Sequence, residues 1–144
     1  MFERFTRQCR DAVTLALAEA GRRGDRKVGT GHLLYGTLHD PEAARALGAG
    51  AEDVRRIEDR LDRDALAAVG VDLQDFGPLA PAVGALHLPL TPGAKTALKR
   101  ALGHAVQEKS RTIGTRHLLS ALRECAGTEP AAVILDRLHG REGS

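Results

Sequence analysis

The sequence predicts an all-α fold, a pseudo-twofold tandem repeat of about four plus three helices. Three observations carry that expectation. Apolar residues recur at helical spacing through most of the chain. The stretch "VGTGHLL" at 28–34 returns as "IGTRHLL" at 113–119. Residues 6–34 laid on 91–119 agree at 11 of 29 positions without a gap. An Ala-rich composition accounts for several of those matches, but not for Gly-Thr-x-His-Leu-Leu at the same place twice. Two copies of one helical unit bury their apolar faces against each other and give one domain.

The first helix is predicted from about Thr6 to Arg22. Cys9, Ala12, Val13, Ala16, Leu17 and Ala20 make its apolar stripe, Thr6 is its N-cap, and Gly21 or Gly24 ends it. A shorter second helix starts at Thr30, read as its cap. Pro41 opens a third and Gly48 closes it. "AEDVRRIEDRLDRD" at 51–64 is a fourth, with Val54, Ile57 and Leu61 on one side. Repeat one thus covers about 1–63. A stretch at about 64–90, with its glycines and prolines, reads as a partly ordered linker.

The pattern restarts at "TPGAKTALKRALGHAVQEK", where Thr91 is the cap and Pro92 the first helical residue. Ala94, Ala97, Leu98, Ala101, Leu102 and Ala105 repeat the first stripe. Thr115, again read as a cap, opens the second helix of repeat two, and "EPAAVILDRLHG" gives the third. Repeat two runs to about 140, and its connection after the second helix reads as about one residue shorter. The whole of 1–144 is one domain.

With 144 residues, 42% of them apolar and only 3% aromatic, the core is expected to be Ala, Leu and Val packed between close helices. The formal charge of +2 is nearly balanced and offers no electrostatic case for nucleic acid. The basic run "GRRGDRK" at 21–27 reads as a solvated loop. No apolar run reaches the ~18 residues that span a bilayer, and "MFERFTRQCRDAV" is too charged for a signal peptide. A cytoplasmic monomer is the expectation. Cys9 and Cys125 are too few for a disulfide framework, and Cys9 on an apolar stripe reads as a buried thiol.

No catalytic residue, metal ligand or cofactor is expected. The six histidines have no carboxylate or cysteine at ligand spacing. No Cys-x-x-Cys, His-Glu-x-x-His, nucleophile elbow or phosphate loop is written in the chain. His32 and His117 occupy equivalent places inside a helix start, so one shared structural role explains both. Phe5 and Leu90, each next to a cap, read as staples onto their own helices. Phe2 lies beyond the staple position and is free to line a groove. An enzyme using Cys9 with a histidine is the alternative class, and no spacing supports it.

"MFERFTRQCRDAV", the paired "GTxHLL" segments and "LPLTPGAK" resemble the N-terminal Clp repeat domain of Clp-type unfoldases, nearest the ClpC branch. The likeness covers about 1–60 and 87–138. It implies a non-catalytic bundle that docks Clp adaptors, substrates or unfoldase proteins and, in some relatives, cyclic-peptide antibiotics. A stand-alone copy would act as an accessory or as an antibiotic decoy; otherwise it is the docking part of a longer unfoldase. The resemblance places a peptide groove at Phe2, Arg10, Val13, Leu17, Leu90, Lys95, Lys99 and Leu102. Leu90 stands where relatives carry Phe, and Lys99 where they carry Glu.

The resemblance also marks two positions for phosphoarginine, at Thr30–Gly31 and Thr115–Arg116. Helix N-terminal amides favour the phosphate there, and a Glu between Thr and His pairs with the guanidinium. Here that Glu is Gly31 in one copy and Arg116 in the other. Losing a charge-assisted pair costs about 1.5–3 kcal/mol, roughly tenfold to a hundredfold in affinity. The expectation is that neither site reads phosphoarginine.

Overall fold

The computed structural model describes residues 4–70 and 88–142, and of 141 and 142 the backbone alone. Within them the chain forms seven helices: α1 (Arg7–Arg22), α2 (Thr30–Thr37), α3 (Pro41–Leu47), α4 (Ala51–Ala68), α5 (Pro92–Gln107), α6 (Thr115–Arg123) and α7 (Pro130–Glu142). The all-α repeat of four plus three helices is therefore the observed architecture. Phe2 and most of the expected linker, 71–87, lie outside the described residues.

The caps follow local chemistry. Thr6 Oγ1 accepts the Cys9 amide at 3.1 Å and Thr91 Oγ1 the Ala94 amide at 3.1 Å, so α1 and α5 start alike. Pro41 and Pro92 take first-turn positions, and Gly48 leaves α3 in the left-handed region at φ 81°. After α1 the chain turns through Gly24 at φ 75°. The equivalent turn after α5 falls on Lys109 at φ 59°, a conformation that costs an ordinary residue about 1–2 kcal/mol.

Three elements depart from the sequence reading. The fourth helix runs on to Ala68, into the stretch assigned to the linker. The connection from α6 to α7, Glu124 to Glu129, is longer than that from α2 to α3, Leu38 to Asp40, not shorter. Thr30 and Thr115 are not N-caps: Gly29 and Gly114 are, and each threonine is the first helical residue.

The repeats are interlocked rather than side by side. Phe5 forms a parallel bridge with Ile113, and Val28 forms its symmetric counterpart with Leu90. Thr6 N–H donates to the Ile113 carbonyl at 3.0 Å and Ile113 N–H to that of Arg4 at 2.8 Å. Val28 N–H donates to Pro89 at 2.8 Å and Thr91 N–H to Val28 at 2.9 Å. Each repeat's leading segment thus pairs with the segment before the second helix of the other. These hydrogen bonds satisfy main-chain amides of one repeat with carbonyls of the other.

The core sits around α2 and α6. α2 touches α1, α4, α5, α6 and α7. Leu33, Leu34, Leu118 and Leu122 are fully buried there; each contributes about 1.5–3 kcal/mol on removal from water. Their partners are mostly alanines, as the low aromatic content implies: Ala12, Ala16 and Ala20 from α1 and Ala94, Ala97, Ala101 and Ala105 from α5. Cys9 lies fully buried on the α1 stripe, and burial pushes its thiol up to about 12, so it is an inert apolar group.

Candidate binding site

The repeated motif builds the same joint twice. Gly29 N–H donates to His32 Nδ1 at 2.9 Å, and Gly114 N–H to His117 Nδ1 at 2.9 Å. Each imidazole, three residues into the helix, reaches back to cap its own start, as Glu does in an ordinary capping box. An Nδ1 that accepts leaves Nε2 to donate. His32 Nε2 donates to Asp25 Oδ2 at 2.7 Å and His117 Nε2 to Glu108 Oε2 at 2.7 Å. Both nitrogens of both rings are therefore used in holding the fold, and the histidines are structural. The His117 hydrogen bond, with Arg116 beside it, holds the Glu108 carboxyl below its ordinary value.

The threonines look outward from that joint to the opposite repeat. Thr30 Oγ1 donates to Glu129 Oε1 at 3.1 Å and accepts the Ala131 amide at 3.1 Å, at the start of α7. Thr115 Oγ1 donates to the Asp40 carboxylate, just before α3. Each hydroxyl is thus held by an acid that precedes the proline of the other repeat's third helix.

Two clefts flank these joints. The first, of about 500 Å³, is lined by Gly29, Gly31 and His32 with Glu58, Leu61, Pro130 and Ile134. A Cβ on Gly31 would stand 3.2 Å from Pro130 Cβ and 3.3 Å from Ile134 Cδ1, so α7 packs where a side chain at 31 would go. The second, of about 370 Å³, lies between Thr6, Asp40, Thr115 and Arg116. Arg116 is exposed there and pairs with Glu108 at 2.7 Å. Neither position offers an acid.

Six of the eight expected groove residues fall on α1 and α5, which both pack on α2 and α6. Val13 and Leu17 on α1 and Leu102 on α5 are half-buried, packed against the core with an open edge. Arg10, Lys95 and Lys99 are exposed. Leu90 is half-buried, and its backbone belongs to the bridge with Val28. Phe2 lies outside the described residues. Val106, one turn beyond Leu102, is 59% exposed and extends the apolar edge.

With this geometry in place, the comparisons decide the family. The Clp repeat (R) N-terminal domain matches residues 4–138. The chain belongs to the Clp repeat N-terminal domain family. It is 31% identical over 144 residues to the ATP-dependent Clp protease ATP-binding subunit ClpA homolog of Guillardia theta, covering 96% of this chain and 16% of that protein. It is 30% identical over 144 residues to the negative regulator of genetic competence ClpC/MecB of Bacillus subtilis, with the same coverage. The chain spans about 16% of the length of these curated relatives.

Among solved structures, the N-terminal domain of the caseinolytic protease associated chaperone ClpD from Arabidopsis thaliana has the same fold. Its TM-score is 0.69 at 23% identity, with 96% of this chain and 89% of that chain covered. The Hsp104 N-terminal domain from Candida albicans has a TM-score of 0.56 at 19% identity, with 94% and 91% covered. The Clp repeat N-terminal domain is a non-catalytic protein-interaction module. Among the described residues no group of three or more His, Cys, Asp and Glu is placed to hold a metal, and no helix is long and apolar enough to cross a membrane.

Within the Clp repeat frame, sequence reasoning missed the four acids that complete the joints. Asp25 and Glu108 do not correspond between repeats, so comparing the copies cannot find them. Asp40 and Glu129 carry a signal in hindsight: each precedes a proline that opens a third helix. Because the two connections differ in length, that match is hidden at constant offset.

Proposed function

We propose that this Clp repeat domain is a peptide- and protein-docking module for Clp-dependent proteolysis that has lost phosphoarginine reading. Its partner would be a Clp adaptor, a client or an unfoldase, held as a segment against the solvent-facing sides of α1 and α5. The half-buried Val13, Leu17 and Leu102 supply apolar contact, and Arg10, Lys95 and Lys99 favour an acidic segment. The observation that carries the loss is the state of the two threonines. Both hydroxyls are engaged by the chain's own carboxylates, Glu129 and Asp40, which repel a phosphate. Gly31 and Arg116 at the same time place no acid between Thr and His.

The groove is tested by calorimetry with a ClpC-directed cyclic peptide and with an acidic unfolded client. Leu17→Asp and Leu102→Asp, checked for retained melting behaviour, should each weaken binding at least tenfold, about 1.4 kcal/mol. Unchanged affinity in both folded variants sinks the groove assignment. Binding of the cyclic peptide alone, with no client and no contact to a purified Clp ring, would move the reading to an antibiotic decoy.

A further inference from the structure

One carboxyl in the wall of the first cleft has no role in the joints described above. Glu58 projects from α4 toward α2 and α7 with its side chain 13% exposed. Among the described residues, its Oε1 is the one fully buried side-chain nitrogen or oxygen without a hydrogen-bond partner. Oε1 lies 3.5 Å from where a Cβ on Gly31 would stand, next to Pro130 and Ile134. Oε2 has a single cationic neighbour, Arg23 Nε at 3.4 Å. That guanidinium is already committed, through its two terminal nitrogens, to Asp59 and Asp62.

The surroundings compensate a charge on Glu58 only in part. The end of α1 presents Arg23 and, further in, Glu19; the α1–α2 connection presents Asp25, with Arg26 and Lys27 exposed to solvent on the wall of the same cleft. From α2, His32 lines the same cleft, with both ring nitrogens engaged. Asp59 and Asp62 sit on Glu58's own helix. From α7 come the apolar Pro130 and Ile134. A buried charge whose one cationic neighbour is shared with two other carboxylates is poorly compensated, whereas a neutral carboxylic acid is tolerated in such a place. Burial, offset only in part by Arg23, pushes this carboxyl up to about 7, and Glu19, Asp62 and Asp25 push the same way.

We propose that Glu58 is a proton-operated clasp: protonated, it lets α4 close on α2 and α7; ionised, it loosens that junction and opens the cleft beside Gly31. Gly31 is part of the device, because the space a side chain would fill is left to the carboxyl. The sign follows from linkage. A carboxyl raised in the folded state binds its proton more tightly there than in the unfolded chain. The clasp is therefore tightest below about 4.5, the ordinary carboxyl value, and weakens as pH rises through about 7. Access to the cleft is thus set by pH across neutrality, whichever ligand uses it.

The test is a pH titration of the full chain by NMR from 5.5 to 8.5. The reporters are the Glu58 side-chain carboxyl carbon, the Ile134 δ1 methyl and the Gly31 amide. In the wild type all three should titrate together, with a midpoint near 7. In Glu58→Gln, the methyl and amide shifts should stay flat, and the melting temperature, followed from pH 4.5, should lose its fall between about 4.5 and 7. A Glu58 carboxyl already ionised at pH 5.5 overturns the proposal. So does an Ile134 or Gly31 transition that persists with the same midpoint in Glu58→Gln.

Discussion

Gly36→Ala should destabilise the domain by about 3 kcal/mol, the upper end of what added volume costs in a packed core. Gly36 lies in α2 where α1 crosses it. A Cβ there would stand 2.0 Å from the Ala12 carbonyl oxygen, 2.9 Å from its carbon and 3.1 Å from the Ala16 amide nitrogen. All three are backbone atoms, so no rotamer change relieves the clash and α1 has to move. The substitution also removes a helical glycine, a gain of about 1 kcal/mol in propensity that works the other way. The clash wins because α1 is held by a buried alanine stripe with little freedom to shift. The equivalent position in repeat two is Ala121, fully buried in α6, so the second crossing admits the methyl that the first excludes. Urea denaturation measures the difference. A midpoint that rises, as propensity alone dictates, would show that the α1–α2 crossing is looser than described.

The second large effect is expected at Glu19. Its side chain is 1% exposed on α1, yet it is charged, because it is enclosed by two guanidinium groups. Arg22 reaches it at 2.8 and 3.1 Å, and Arg55 of α4 at 3.1 and 2.8 Å. Arg55 also donates to the Tyr35 hydroxyl of α2 at 2.6 Å and lies 4.9 Å from that ring's centre. The network therefore ties three helices of repeat one together. Removing one member of a fully enclosed pair costs about 3–5 kcal/mol. Here Arg22 and Arg55 are 46% and 30% exposed, so water takes up their charge, and Glu19→Gln should cost about 2–3 kcal/mol.

The same residue shapes the acid limb of stability. Burial alone would raise the Glu19 carboxyl, but the hydrogen bonds and charges of Arg22 and Arg55 outweigh it and bring it down to about 2. Its contribution is complete above the ordinary carboxyl value of about 4.5 and is lost as pH falls toward 2. Wild type and Glu19→Gln should therefore converge in urea midpoint between those limits. A gap that stays constant from pH 5 to 2.5 would mean that the loss is packing, not charge.

Much of this fold was legible in the residues because it is written in local chemistry. Thr6 and Thr91 before their helices, Pro41 and Pro92 inside them, and Gly48 after α3 each act within one helical turn. What was not legible acts across the chain. Thr30 and Thr115 look like caps because threonine usually is one, but His32 and His117 take the amides of Gly29 and Gly114, and both hydroxyls cross to the other repeat. The bridges of Phe5 to Ile113 and Leu90 to Val28 carry no residue signature, since main-chain pairing is indifferent to side chain. Glu58 was unremarked for the opposite reason: a carboxylate on a charged helix looks solvated until α7 covers it.

The structure also changes what the doubled motif means. In this chain Gly-Thr-x-His is first a joint that locks each repeat onto the other, and its variable residue sits at the edge of a cleft. Gly31 and Arg116 leave the joint intact and carry no acid at that variable position. Titration of free phosphoarginine into the folded domain tests this most directly. No saturable heat is expected at either site. Tight, stoichiometric binding that disappears in Thr30→Ala or Thr115→Ala would contradict it.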